Sequence, residues 1–229
     1  MSDATQAHQL LAGAQQAAEQ TVRRSRASWF PLVVFGLLIL GALPVFVQSF
    51  TQEKDDVTHT PLDGILGGWF LPHAGRWVAL YWLIALPAGY LATALYFRWR
   101  ARRSGVASRP VALVATGGAL LVLLLVQNAG FLGIVPLHPN LVVRGLSPLL
   151  TVAFGILVLA VADRSKALAG IALAFLGLAL LANLYDLVNL LSRLGWSVPY
   201  EYSLWPNLVV PGVFLLVSGL VLRRTQRLP

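Results

Sequence analysis

Apolar runs long enough to cross a bilayer recur along the chain, and the gaps between them alternate between basic and nearly free of positive charge. No other feature restricts the fold as tightly. A hydrocarbon core of about 30 Å takes roughly 20 apolar residues in a helix. Within it, every backbone amide and carbonyl must find a partner inside the protein. Runs of this kind predict helices at about 29–50, 77–97, 111–132, 147–162, 167–191 and 205–222. The expected fold class is all-α: a polytopic transmembrane helical bundle of six spans. Composition agrees, since 57% of the 229 residues are hydrophobic and 11% charged, too few charges to cover a soluble domain.

The loops predict an orientation. Arg23, Arg24 and Arg26 precede the first span, and Arg98, Arg100, Arg102, Arg103 and Arg109 follow the second. Arg164 and Lys166 follow the fourth, and Arg223, Arg224 and Arg227 follow the sixth. Few positive charges lie after the first, third and fifth. Lys and Arg mark the cytoplasmic side, so the N-terminus and the C-terminus are both expected there. The net charge of +8 is then explained by membrane orientation and anionic headgroups, with no nucleic acid required. Arginine in excess of lysine, with spans of Ala, Leu, Gly and Val, suggests a bacterial cytoplasmic membrane.

Residues 1–28 read as a cytoplasmic N-terminal segment in which Ala7, Leu10, Leu11, Ala14, Ala18 and Val22 recur as on an amphipathic helix. Residues 29–222 are the six-span membrane domain, and 223–229 a basic cytoplasmic tail. The first span is expected to be retained, since no small-residue cleavage site follows it. After it come Glu53, Asp55, Asp56 and Asp63, then a Gly-broken apolar stretch over 64–72, too short to cross and expected to be interfacial or re-entrant. The run Val33–Leu40 resembles Val152–Leu159, as inverted repeats of transporters do. A chance match of two Leu/Val/Gly-rich helices is the better account, because nothing comparable links the second and fifth spans.

Recognised catalytic patterns are missing. The chain has no cysteine, no GxxxxGK[ST] loop, no HExxH and no GxSxG elbow. No enzyme activity, cofactor or metal is expected. His59, His73 and His138 fall in outer loops, where solvated side chains are a better reading than a metal or pH-sensing group.

Candidate ligand-binding residues gather in the predicted outer half. Asn183, Asp186, Asn189 and Arg193 follow at spacings of three, three and four, which places them on one face of a continuous fifth helix. Asp186 would lie about 7 Å inside the outer end at 1.5 Å per residue. Gln127, Asn128 and Tyr81 are expected at a similar depth, with Gln48 and Asn207 nearer the surface. Pro44, Pro87 and Pro211 would bend the helices around them. Ionisable groups in a span usually face a water-filled path, which predicts an outward-facing polar cavity around Asp186. The competing account is that such residues only hydrogen-bond between helices and hold the bundle together.

Three functions follow. The first is a small transport component: a permease, or the membrane subunit of a larger transporter working with a separate ATPase subunit. The second is a non-transporting regulatory or scaffold protein that binds another membrane protein. An intramembrane lipid-modifying enzyme using Asp186 and His73 ranks last.

Overall fold

The computed structural model describes residues 28–47, 75–104, 117 and 146–227. The described residues are helical, without strands. In order they form α1 (Trp29–Gly41), α2 (Gly75–Ser104), α3 (Ser147–Ala162), α4 (Lys166–Leu184), α5 (Leu187–Arg193) and α6 (Pro206–Arg227), with single 3-10 turns at Leu43–Val45 and Tyr200–Tyr202. Three helices are long and apolar enough to cross a membrane: those in α2, α4 and α6. The helices at Trp29–Val45 and Pro148–Ala162 are apolar but shorter. Most of the expected third span and the stretch 64–72 lie outside the described residues, as do Gln48, Gln127, Asn128, His59, His73 and His138.

Two helices overrun the apolar stretches that predict them. α2 continues through Arg98, Arg100, Arg102 and Arg103 to Ser104, and α6 continues past Leu222 to Arg227. Arginine and alanine are good helix formers, so the helix ends where a breaker arrives, well beyond the edge of the apolar run. In the other direction, the helix expected over 29–50 tightens early. Pro44 has no amide to give Leu40, and the chain turns to 3-10 geometry at Leu43–Val45. The Ala42 amide bonds Ile39 in place of Leu38, and the Leu38 carbonyl takes the Tyr81 hydroxyl of α2.

Glycine sets the closest helix pair, α1 against α6. A Cβ at Gly36 would stand 3.0 Å from the Gly212 carbonyl oxygen, and one at Gly219 would stand 3.1 Å from the Trp29 carbonyl oxygen. Without a side chain at these points the two backbones approach closely, the usual way for helices to attract one another where water gives no hydrophobic drive. Leu32, Phe35 and Ile39 of α1 and Leu208 and Leu215 of α6 are buried in the core beside them. α3 and α4 form a hairpin over Asp163, Arg164 and Ser165. Arg164 turns the chain at φ 48°, and the Ser165 hydroxyl caps α4 by accepting the Leu168 amide at 3.3 Å.

Most of the described basic residues are brought to one end of this bundle, Arg193 being at the other. The Ser28 hydroxyl donates to Asp163 at 3.1 Å, so the start of α1 meets the α3–α4 link. Phe30 stacks on Tyr96 at 3.9 Å, which adds the end of α2. Arg223 lies 4.7 Å over the Trp29 ring, which adds the end of α6, and Arg103 lies 4.2 Å over Trp99. At the opposite end, Trp196 and Tyr200 project from the loop before α6 with most of their surface exposed. Aromatic side chains thus collect at both ends of the apolar helices, the places where amphipathic rings prefer the headgroup level.

Candidate functional site at the end of α4

The helix expected over 167–191 is two helices. α4 stops at Leu184, and its 19 residues measure about 28 Å, close to the thickness of a hydrocarbon core. The Tyr185 and Asp186 amides both turn back to the Leu181 carbonyl, at 2.9 and 3.2 Å. Asp186 then takes φ 75°, outside the helical range and unfavourable for a residue with a side chain. Its carboxylate starts the next helix: Oδ1 accepts the Val188 amide at 3.0 Å as the N-cap of α5. One residue therefore ends the long helix and begins the short one.

Asn207, in the first turn of α6 and fully buried, closes the arrangement. Its Nδ2 donates to Asp186 Oδ1 at 2.8 Å, and its own Oδ1 accepts the Leu187 amide at 2.8 Å. The first amides of α5 are thus satisfied by one carboxylate and one carboxamide, which clasp the break to the adjoining helix. The sequence places Asn207 in the outer polar layer, nearer the surface than Asp186, and does not pair the two. The signal for this pairing spans 21 residues and has no local trace.

The expectation of a shared helical face fails for the same reason. Because the chain turns at Asp186, Asn183 is buried before the break and Asn189 is exposed after it. Asn183 Nδ2 donates to Ala179 O at 2.8 Å and to Leu146 O at 3.2 Å, joining α4 to the start of α3. Asn189 Nδ2 donates to the Tyr185 carbonyl at 2.9 Å, across the break. Arg193 is exposed, with its guanidinium 5.6 Å from the Tyr185 ring centroid. Tyr81 is spent on the Leu38 carbonyl, at the same end of the bundle.

Some buried hydrogen-bonding capacity at this end is unused. Asn183 is 3% exposed and its Oδ1 has no partner among the described residues; neither has the Nε1 of Trp82, which is 1% exposed, nor that of Trp205. Together they leave one acceptor and two donors unmatched among the described residues. Sequence reading picked out Asn183 but neither tryptophan, since Trp near a span end normally reads as an interfacial anchor.

No protein-family model, no curated relative and no solved structure matches the chain.

Proposed function

We propose that the chain is a six-span protein of a bacterial cytoplasmic membrane, with both termini in the cytoplasm, serving as the membrane component of a transport system. Its site opens on the outer side, and the protein is not itself an enzyme. A separate ATPase subunit or another membrane protein would complete it. The observation that carries this reading is the helix break at Asp186, just beyond the end of α4. Membrane transporters use the ends of broken helices, with their free amides and carbonyls, to hold polar cargo, and a break at a span end offers such groups at the membrane boundary. Here the break brings the Asp186 carboxylate beside the Asn207 carboxamide, with the unpaired Asn183 Oδ1 one turn earlier. Such a site suits a small polar solute with both donors and acceptors.

The test is ligand-induced thermal stabilisation of the purified protein across a panel of small polar solutes, repeated with Asp186→Asn. Binding is expected in the parent protein and is expected to weaken about tenfold in the variant, the equivalent of one charge-assisted hydrogen bond of about 1.4 kcal/mol. A complete lack of response in both forms rejects a direct binding role.

A second reading has its own observation. Both assigned bonds of Asp186 Oδ1 point inward, to Val188 and Asn207, as expected of a clasp that only holds α4, α5 and α6 together. The chain would then be a regulatory or scaffold protein. Deleting residues 1–22 would abolish capture of its membrane partner and leave the bundle folded; unchanged capture argues against it.

A further inference from the structure

The basic end of the bundle contains a cation whose surroundings go beyond marking orientation. Gly219 lets α6 close on the first turn of α1, and one turn later Arg223 rises beside that same turn. Its guanidinium lies over Trp29, while its Nε is buried without a hydrogen-bond partner among the described residues. Leaving a buried donor of a charged group unmet is costly. The start of α1 lies beside it and has no side-chain cap from Ser28. Ser28 turns its hydroxyl to Asp163, so the amides of the first turn are left to other acceptors. A guanidinium and the positive end of a helix dipole therefore meet at one spot. Among the described residues Asp163 is the acid at this end, with Ser28 donating to it, against Arg164, Lys166, Arg223 and Arg224.

We infer that this seam between α1 and α6 binds the phosphodiester headgroup of an anionic phospholipid, with Arg223 as its principal cation. Positive charge near the inner surface is enough to set orientation, and an arginine reaching into water would provide it. A buried Nε at a helix start is a different arrangement, suited to an acceptor that arrives from the side. A lipid, as opposed to free phosphate, is favoured by what lies next along α6. Leu220, three residues before Arg223 and on its side of the helix, is about half exposed and gives an acyl chain apolar surface beside the guanidinium. The inference rests on the membrane reading and is independent of transport.

The experiment uses the full chain in a neutral detergent, with phosphatidylglycerol, phosphatidylcholine or inorganic phosphate added at matched ionic strength. Phosphatidylglycerol is expected to raise the unfolding midpoint by roughly 5 °C, the size expected when ligand is well above its dissociation constant. Phosphatidylcholine and phosphate should do far less. Arg223→Gln should lose most of the shift, Arg223→Lys should keep part of it, and Arg193→Gln at the opposite end should keep all of it. An equal shift with phosphatidylcholine or phosphate, no shift at all, or an undiminished shift in Arg223→Gln each overturns the inference. Should Arg223→Gln fail to fold, native mass spectrometry of the parent and Arg223→Lys decides. Retained phosphatidylglycerol that is reduced by the lysine supports the site, and equal or absent retention rejects it.

Discussion

Asn207 and Asp186 hold each other by a 2.8 Å hydrogen bond, although one opens the last helix and the other interrupts the helix before it. The Asp186 carboxylate simultaneously caps α5, and the Asn207 carboxamide oxygen takes the Leu187 amide. The α4–α5 break is thus fixed by side chains from both sides of it. Its stability should respond to backbone strain and side-chain chemistry separately, and substitutions at Asp186 can tell the two apart.

Asp186→Ala removes the cap and the Asn207 acceptor while keeping a Cβ at φ 75°. Asp186→Gly removes the same bonds but relieves the positive φ. Alanine is therefore expected to destabilise more than glycine, by about 1 kcal/mol, with an overall loss of about 2–3 kcal/mol for alanine. Asp186→Asn keeps an acceptor and a tolerated φ and should be the mildest of the three. Chemical unfolding in detergent gives the order. If glycine proves worse than alanine, backbone strain at this position is not significant.

Two pairs of glycines differ sharply in what a methyl would meet. At Gly36 and Gly219 it would meet backbone carbonyl oxygens of the facing helix, which cannot rotate away. At Gly170 and Gly177 it would meet nothing within 4 Å. Gly36→Ala and Gly219→Ala should cost about 1–3 kcal/mol by overpacking. Gly170→Ala and Gly177→Ala should gain roughly 0.5–1 kcal/mol, since alanine loses less entropy in a helix. Unfolding midpoints of the four variants check both halves.

The elements that carry local signals could be read from the sequence. The helix Ser147–Ala162 falls where it was expected because Pro148 suits a first turn, and Ser165 is a good cap for α4. The far ends of α2 and α6 were set too short because hydropathy records where the bilayer ends and says little about where a helix ends. Asp186 carried a legible N-cap signal, masked by the apolar residues on both sides of it, which favour one unbroken helix. The partnership with Asn207 and the free Nε of Arg223 could not be read at all. Both depend on which helices become neighbours, and here glycines at positions 36, 212 and 219 decide that through close packing.

Tyr90 supplies a coupled pair of predictions in the interior. Its hydroxyl donates to the Thr151 carbonyl at 3.0 Å while its ring lies against Gly155. Tyr90→Phe should cost about 1 kcal/mol, the value of one buried hydrogen bond. Gly155→Ala should cost more, since an ideal Cβ would collide with the hydroxyl oxygen. In the double variant the hydroxyl is gone and the methyl gains room, so the combined loss should fall short of the sum by about 1 kcal/mol. Additive losses would mean that the ring, and not the hydroxyl, limits the space.

Orientation can be measured directly because the chain contains no cysteine, so every introduced thiol reports its own position. Ser197 is exposed in the loop before α6, at the end of the bundle opposite Arg223. Thr225, in the last turns of α6, is exposed at the basic end. Each substitution leaves the Asp186 clasp and the α1–α6 glycines untouched. Arginines collected at one end favour that end in the cytoplasm, held there by anionic lipid and the membrane potential. In intact cells, a membrane-impermeant maleimide should therefore label Ser197→Cys and spare Thr225→Cys until the membrane is opened. Labelling of Thr225→Cys in intact cells, with Ser197→Cys protected, would invert the protein and place the Asp186 clasp on the cytoplasmic side.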